Sequence, residues 1–83
     1  MSNEDTALFD VEKIEAASTR EILEEVYDAL ESRGYNPINQ MVGYLISGDP
    51  GYISSYRDAR TKMQEIDRAK IIEILLKEFR ENK

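Results

Sequence analysis

The sequence predicts an all-α fold, a compact small domain of four to five helices. Apolar residues recur at intervals of three and four along most of the chain, and no alternating strand pattern extends beyond a few residues. The periodic segments are also separated by the residues that start and end helices. Pro at first helical positions and Gly just past helix ends are typical of such boundaries, and here they are Pro37, Pro50, Gly34 and Gly48.

The chain is predicted to divide into a flexible acidic N-terminal arm, residues 1–17, and a single helical domain, residues 18–83. The arm has few large apolar groups among many acids and small residues. The first helix is predicted to begin at Ser18, because Ser18 and Glu21 have the spacing of a capping box. Its apolar stripe consists of Ile22, Leu23, Val26, Tyr27 and Leu30. Gly34 is predicted to end it.

The second predicted helix lies in a charge-free run, residues 34–48, within a protein of which 34% is charged. Asn36 and Pro37 are typical of a helix cap and a first helical position. One face carries Ile38, Met41, Val42 and Leu45, with Tyr44 and Ile46 on its flanks. A helix apolar over most of its circumference lies either at the centre of the core or also at a subunit interface, and both interpretations remain open.

The C-terminal half is predicted to hold a short turn from Pro50 to Ile53, with Tyr52 and Ile53 inward, and then a third long helix. Ser54 or Ser55 caps that helix, and its inward residues are Ala59, Met63 and Ile66. Asp67 either caps a last helix or marks a bend within a continuous one. The last stripe consists of Ile71, Ile72, Leu75, Leu76 and Phe79, and Ile74 lies beside it, which suggests a second contact surface.

Composition argues against catalysis and against a bound cofactor or metal. The chain has no Cys and no His, so it lacks disulfides, thiolate metal sites and the side chain that most often serves as metal ligand or general base. An enzyme using Asp49 or Asp58 would need an acid-lined cleft with raised pKa values. A domain of this size buries only about 60% of its unfolded surface, so dimerisation is the expected source of added stability.

Charge is unevenly distributed along the chain. The net charge is −6, and residues 1–32 carry two basic and ten acidic groups, a net charge of −8. This acidity disfavours nucleic-acid binding. Arg57, Arg60 and Arg68 are either a solvated face or a binding surface for an anion or an acidic partner, the N-terminal arm included. With no signal peptide and no apolar stretch long enough to insert into a membrane, the protein is predicted to be cytoplasmic.

One long motif resembles a known family. The run GYNPINQMVGYLISGDP at residues 34–50, followed by Tyr52-Ile53 and Asp58-Ala59-Arg60, closely resembles the IreB-type family of small bacterial regulatory phosphoproteins. The similarity extends more loosely from the arm around Thr6 to the last helix. The chain departs from the family at Asn3, where some relatives carry a second threonine, and at Ser54, where the family often has Pro.

The resemblance implies a non-enzymatic homodimer that is phosphorylated on Thr6 by a membrane-anchored Ser/Thr kinase and dephosphorylated by a partner phosphatase. It further implies control of cell-wall (peptidoglycan) homeostasis and antibiotic tolerance through contact with a downstream cell-wall regulatory protein. The alternative is a constitutive dimeric adaptor that acts without phosphorylation. The predicted dimer or partner interface consists of Tyr35, Ile38, Met41, Tyr44, Leu45 and Ile74.

Overall fold

A computed structural model of the protein describes residues 11–82, with side chains described from residue 14. This part of the chain is built from helices and contains no strand, so the predicted all-α class is confirmed. Its α-helices are α1 (Val11–Ser32), α2 (Pro37–Ser47), α3 (Ala59–Gln64) and α4 (Arg68–Glu81). Two 3₁₀ turns, Pro50–Tyr52 and Tyr56–Asp58, connect α2 to α3.

Helix α1 begins earlier than predicted and ends where predicted. It starts at Val11, so Ser18 lies within the helix and the prediction of a helix start there is wrong. The residues between are mostly Glu, Ala and Lys, which favour helix and let it continue past an accidental capping pattern. At the other end Gly34 has a φ of 89° and its N–H bonds Glu31 O at 2.9 Å. The predicted flexibility of residues 1–10 lies outside the described residues.

Helix α2 has the predicted boundaries. The Asn36 side chain accepts a hydrogen bond from the Asn39 N–H at 3.0 Å, and Pro37 occupies the first turn. Gly48 closes the helix in the left-handed conformation, with a φ of 78°, and its N–H bonds Tyr44 O at 2.7 Å. Both ends follow from side chains within a few residues of the boundary, which is why the sequence alone located them.

The predicted third long helix is wrong, because the chain there forms a 3₁₀ turn followed by the six-residue α3. Arg57 and Asp58 both have positive φ, 52° and 61°, and this pair interrupts the helix. The Ser54 hydroxyl accepts a hydrogen bond from the Tyr56 N–H at 3.1 Å, which favours a turn over a continuous helix. Asp67 is extended and precedes α4, so the last helix is a separate one.

The core lies between α1, α3 and the start of α4. Its largest fully buried side chains come from all three helices and from the link after α2, and they are Val26, Leu30, Ile53, Met63 and Ile71. Exposed ion pairs join Glu15 to Lys70, at 4.0 Å, and Arg20 to Glu78. Because both pairs follow the same order along the two helices, α1 and α4 run parallel.

Helix α4 turns a different face inward from the predicted one. Ile71 and Ile74 are buried, whereas Ile72, Leu75, Leu76 and Phe79 are 42% to 70% exposed. Of the predicted stripe only Ile71 is buried, and Ile74, which was placed beside the stripe, packs inward with it. The apolar arc of α4 is wider than the surface that α1 and α3 can cover, so packing selected one edge of that arc. The other edge has no partner within the described residues.

Gly43 allows the ring of Tyr52 to pack directly on helix α2. A Cβ atom at residue 43 would lie 2.5 Å from Tyr52 Cδ1, so the ring would have to move. We expect Gly43→Ala to destabilise the protein by about 1 kcal/mol, because overpacking outweighs the gain in helix propensity. Urea denaturation measures this. In a protein that already carries Tyr52→Ala, Gly43→Ala should raise the free energy of unfolding by up to about 1 kcal/mol. A lower free energy of unfolding in that background would contradict the role given to the Tyr52 ring.

Candidate functional site

Three helices border an apolar groove on the surface of the protein. It encloses about 300 Å³. Its floor and walls are apolar apart from the hydroxyl end of Tyr27, and they consist of Leu23, Tyr27, Ile38, Met41, Val42, Leu45, Ile74 and Leu75. Arg20, Glu24 and Glu78 form a charged rim, where Arg20 pairs with Glu78. A groove of this kind is suited to an apolar segment of a protein, because it offers contact area and few hydrogen-bonding groups.

The groove belongs to a larger exposed apolar surface, which we call the α2–α4 face. On α2 it comprises Ile38, Val42 and Ile46, spaced four residues apart. On α4 it comprises Ile72, Leu75, Leu76 and Phe79. Ile46, Leu76 and Phe79 are 78%, 61% and 70% exposed. Seven large apolar side chains on two neighbouring helices are more than isolated surface residues, and such a patch is typical of a protein interaction surface.

Four of the predicted interface residues come together in the groove. Ile38 is exposed there, Met41 and Leu45 are half-buried, and Ile74 lies at its floor with 5% exposure. Tyr44 instead belongs to the core, and Tyr35 lies in the α1–α2 link, 40% exposed and outside the groove lining.

Sequence reasoning missed Val42 and Leu75 as interface candidates. Both lie on the apolar stripes predicted for their helices but are absent from the predicted interface, yet they are 46% and 44% exposed and both line the groove. The available signal was the width of the apolar arc on α4. When the apolar arc of a helix is wider than the surface that its neighbouring helices cover, some of its apolar side chains stay exposed to solvent.

The three predicted anion-binding arginines do not form one cluster. Arg60 Nε donates to Ile53 O at 2.8 Å, and Arg68 Nη1 donates to Leu45 O at 3.0 Å. These two side chains therefore tie the ends of helices and links together. Arg57 lies over the Tyr56 ring, with its guanidinium carbon 5.4 Å from the ring centroid. Arg33 lies over the same ring at 5.3 Å, a partner that sequence spacing did not reveal because α2 and the first 3₁₀ turn intervene.

The charged side of α4 is separate from the α2–α4 face. Glu73 lies there between two lysines, 3.6 Å from Lys70 and 3.1 Å from Lys77. The hydrogen bond from Lys77, with the charges of Lys70 and Lys77, lowers the pKa of Glu73 below its usual value. The Glu73 side chain is 48% exposed and its neighbours favour its charged form, which favours solubility of that side rather than acid–base chemistry.

The carboxylates considered for catalysis have structural roles or simple surface positions. Asp49 accepts a hydrogen bond from the Gly51 N–H at 2.8 Å and so caps the first 3₁₀ turn. Asp58 is exposed in the left-handed turn before α3. Between residues 11 and 82 no three acidic side chains are grouped so that they could hold a metal ion. Thr6, the predicted phosphorylation site, lies outside the described residues.

None of the helices in the described part of the chain has both the length and the apolar character needed to cross a bilayer.

Comparison with known proteins agrees with this picture. The model of a protein family described as "IreB regulatory phosphoprotein" matches residues 4–81. A protein of Acetivibrio thermocellus named "UPF0297 protein" is 48% identical over 77 residues, which cover 93% of this chain and 86% of that protein. Neither description names an enzyme.

Proposed function

Because the chain belongs to the IreB regulatory phosphoprotein family, we propose that it is a non-enzymatic cytoplasmic regulator of peptidoglycan homeostasis and of tolerance to cell-wall antibiotics. It acts as a homodimer and through contact with a downstream cell-wall regulatory protein. A membrane-anchored Ser/Thr kinase and its phosphatase control it through Thr6. The observation that carries the proposal is the unpartnered α2–α4 face, which suits a protein whose work is binding other proteins.

The first occupant of the α2–α4 face is a second copy of the chain. The radius of gyration is 14.7 Å, against about 11 Å for a compact domain of 72 residues, so the monomer is elongated rather than spherical. An isologous contact would cover the exposed apolar side chains of both copies at once. Such burial supplies the stability that a domain of this size gains only in part from its own core.

The chain between Val11 and the large apolar residues Leu8 and Phe9 is too short to bring their side chains to the groove wall. Leu8 and Phe9 are the large apolar residues nearest to Val11, and three residues of extended chain span only about 10 Å. Leu23, on the groove wall, lies about 18 Å along α1 from Val11. The distance favours a second molecule as the occupant.

The phosphorylation part of the proposal is tested on protein purified from its own cells. We expect one kinase-dependent phosphate on Thr6, detected by intact mass and phosphopeptide analysis, and its loss in Thr6→Ala. Thr61→Ala is the matched control, because Thr61 is an exposed threonine on α3. It should leave the phosphate in place. An unmodified Thr6 in wild-type protein under cell-wall stress contradicts the proposed switch.

A constitutive adaptor is the second candidate, and the α2–α4 face favours it because that face is present whatever the state of Thr6. The two candidates differ in cells. If phosphorylation controls the protein, Thr6→Ala and Thr6→Glu should differ from the wild type in tolerance of cell-wall antibiotics. If both variants behave as the wild type does, the adaptor function is correct.

A further inference from the structure

Two arginines that are distant in sequence meet on one aromatic ring. The guanidinium carbons of Arg33 and Arg57 lie 5.3 and 5.4 Å from the centroid of the Tyr56 ring. Neither guanidinium forms an ion pair with a carboxylate in the described part of the chain, although Asp58 follows Arg57 directly. Arg20, Arg60 and Arg68 differ, because each is bound to a carboxylate or a carbonyl oxygen.

The fold holds this cluster in place from two sides. Tyr56 and Arg57 lie in the second 3₁₀ turn, where the Tyr56 N–H donates to Ser54 Oγ at 3.1 Å and the Asp58 N–H donates to Ser55 O at 3.0 Å. Arg33 follows the last turn of α1. A guanidinium that lies over a ring keeps its N–H edge free to bind an anion. The cluster therefore presents two positive charges, both exposed, whose aromatic support is already in place.

We propose that Arg33 and Arg57, supported by Tyr56, bind the phosphorylated Thr6 segment of a second copy of this chain. A phosphate monoester carries a charge of about −1.5 to −2, which matches the two positive charges of the guanidinium groups better than the single negative charge of a carboxylate does. The segment around Thr6 adds complementary charge through Glu4, Asp5 and Asp10. This inference rests on the proposed phosphorylation of Thr6.

Distance determines that the phosphate comes from another molecule. Helix α1, Val11–Ser32, is about 33 Å long, and Arg33 lies at its far end. Five residues of fully extended chain, from Thr6 to Val11, span at most about 17 Å. Thr6 of the same chain therefore cannot reach Arg33, whereas Thr6 of a second molecule has no such limit.

The test measures peptide binding to the full-length protein by fluorescence anisotropy. The probes are synthetic peptides of residues 1–12 with and without phosphate on Thr6. We expect the phosphopeptide to bind at least about tenfold more tightly, and Arg33→Ala or Arg57→Gly to weaken it about tenfold. Arg57→Gly is chosen because Gly accepts a positive φ, so the turn is retained. Tyr56→Phe keeps the ring and should keep the affinity.

Arg80→Ala is the matched control, since Arg80 is an exposed arginine in the last turn of α4 and away from the ring. It should leave binding unchanged, and circular dichroism verifies that each variant is folded. Equal binding of both peptides, or equal weakening by Arg80→Ala, overturns the proposal. So does a single-stranded oligonucleotide that binds as tightly as the phosphopeptide.

Failure here and failure of the proposed function are distinguishable. A phosphopeptide that does not bind overturns the Arg33–Arg57 site and leaves kinase-dependent phosphorylation intact. An absent Thr6 phosphate in cells overturns the switch, whatever the synthetic peptide does.

Discussion

We expect Val42→Asp to convert the proposed homodimer into a folded monomer. Val42 is 46% exposed on α2 and lines the groove beside Leu75 of α4. If a second copy covers the α2–α4 face, a carboxylate at residue 42 is buried without a partner, which costs several kcal/mol at the centre of an apolar contact. The dissociation constant of the dimer should rise at least about 100-fold. Sedimentation equilibrium over a range of concentrations measures it.

The control for Val42→Asp is Gln64→Glu. It adds the same charge at an exposed position on α3, away from the α2–α4 face, and should leave self-association unchanged. Circular dichroism should show equal helix content in both variants, because residue 42 is not in the core. A wild-type protein that stays monomeric at all concentrations rejects the homodimer. A Val42→Asp protein that still dimerises assigns the contact to a different surface.

We expect Ile53→Ala to lower the free energy of unfolding by about 3 kcal/mol. Ile53 is fully buried in the core, although it lies in the short link between the two 3₁₀ turns. Its carbonyl oxygen also accepts the hydrogen bond from Arg60 Nε. Removing its side chain leaves a cavity beneath a link that has little regular structure to hold it. The loss is a large fraction of the 5 to about 15 kcal/mol that stabilises a typical domain.

Urea denaturation at one fixed protein concentration measures this loss, and Ile14→Ala is its control. Ile14 is 52% exposed on α1, so the same substitution there should change the free energy of unfolding by less than about 1 kcal/mol. Equal effects at the two positions would show that Ile53 is not part of the core.

The boundaries of α2 were predictable because each depends on a few neighbouring atoms. The Asn36 side chain caps the helix by accepting a hydrogen bond from the N–H of Asn39. Gly48 ends the helix because it takes the left-handed conformation that most other residues avoid. The start of α1 was predicted from neighbouring residues in the same way, but that prediction was wrong. The Ser18–Glu21 pattern was present, yet the preceding residues are good helix formers, so the helix runs through it.

The error in the face that α4 turns inward has one cause, which is competition between two apolar faces of that helix. In α4 the stripe containing Ile72, Leu76 and Phe79 and the edge containing Ile71 and Ile74 are both apolar, so periodicity could not decide which packs inward. Contact with α1 and α3 decided it. The meeting of Arg33 with Arg57 was equally invisible, since the two arginines lie on separate elements of the chain.

The sequence by itself determined the all-α class, the extent of α2, the short turn that begins at Pro50, and the family. These follow from hydrophobic period, from capping side chains and from a long motif, all of which act or are recognised within short stretches. Only the tertiary structure decided which apolar residues are left exposed and which arginine side chains are bound to a carboxylate or a carbonyl oxygen. It also decided that Arg33 and Arg57 both lie over the Tyr56 ring. Burial and pairing depend on which elements meet in space, and local sequence does not specify those contacts.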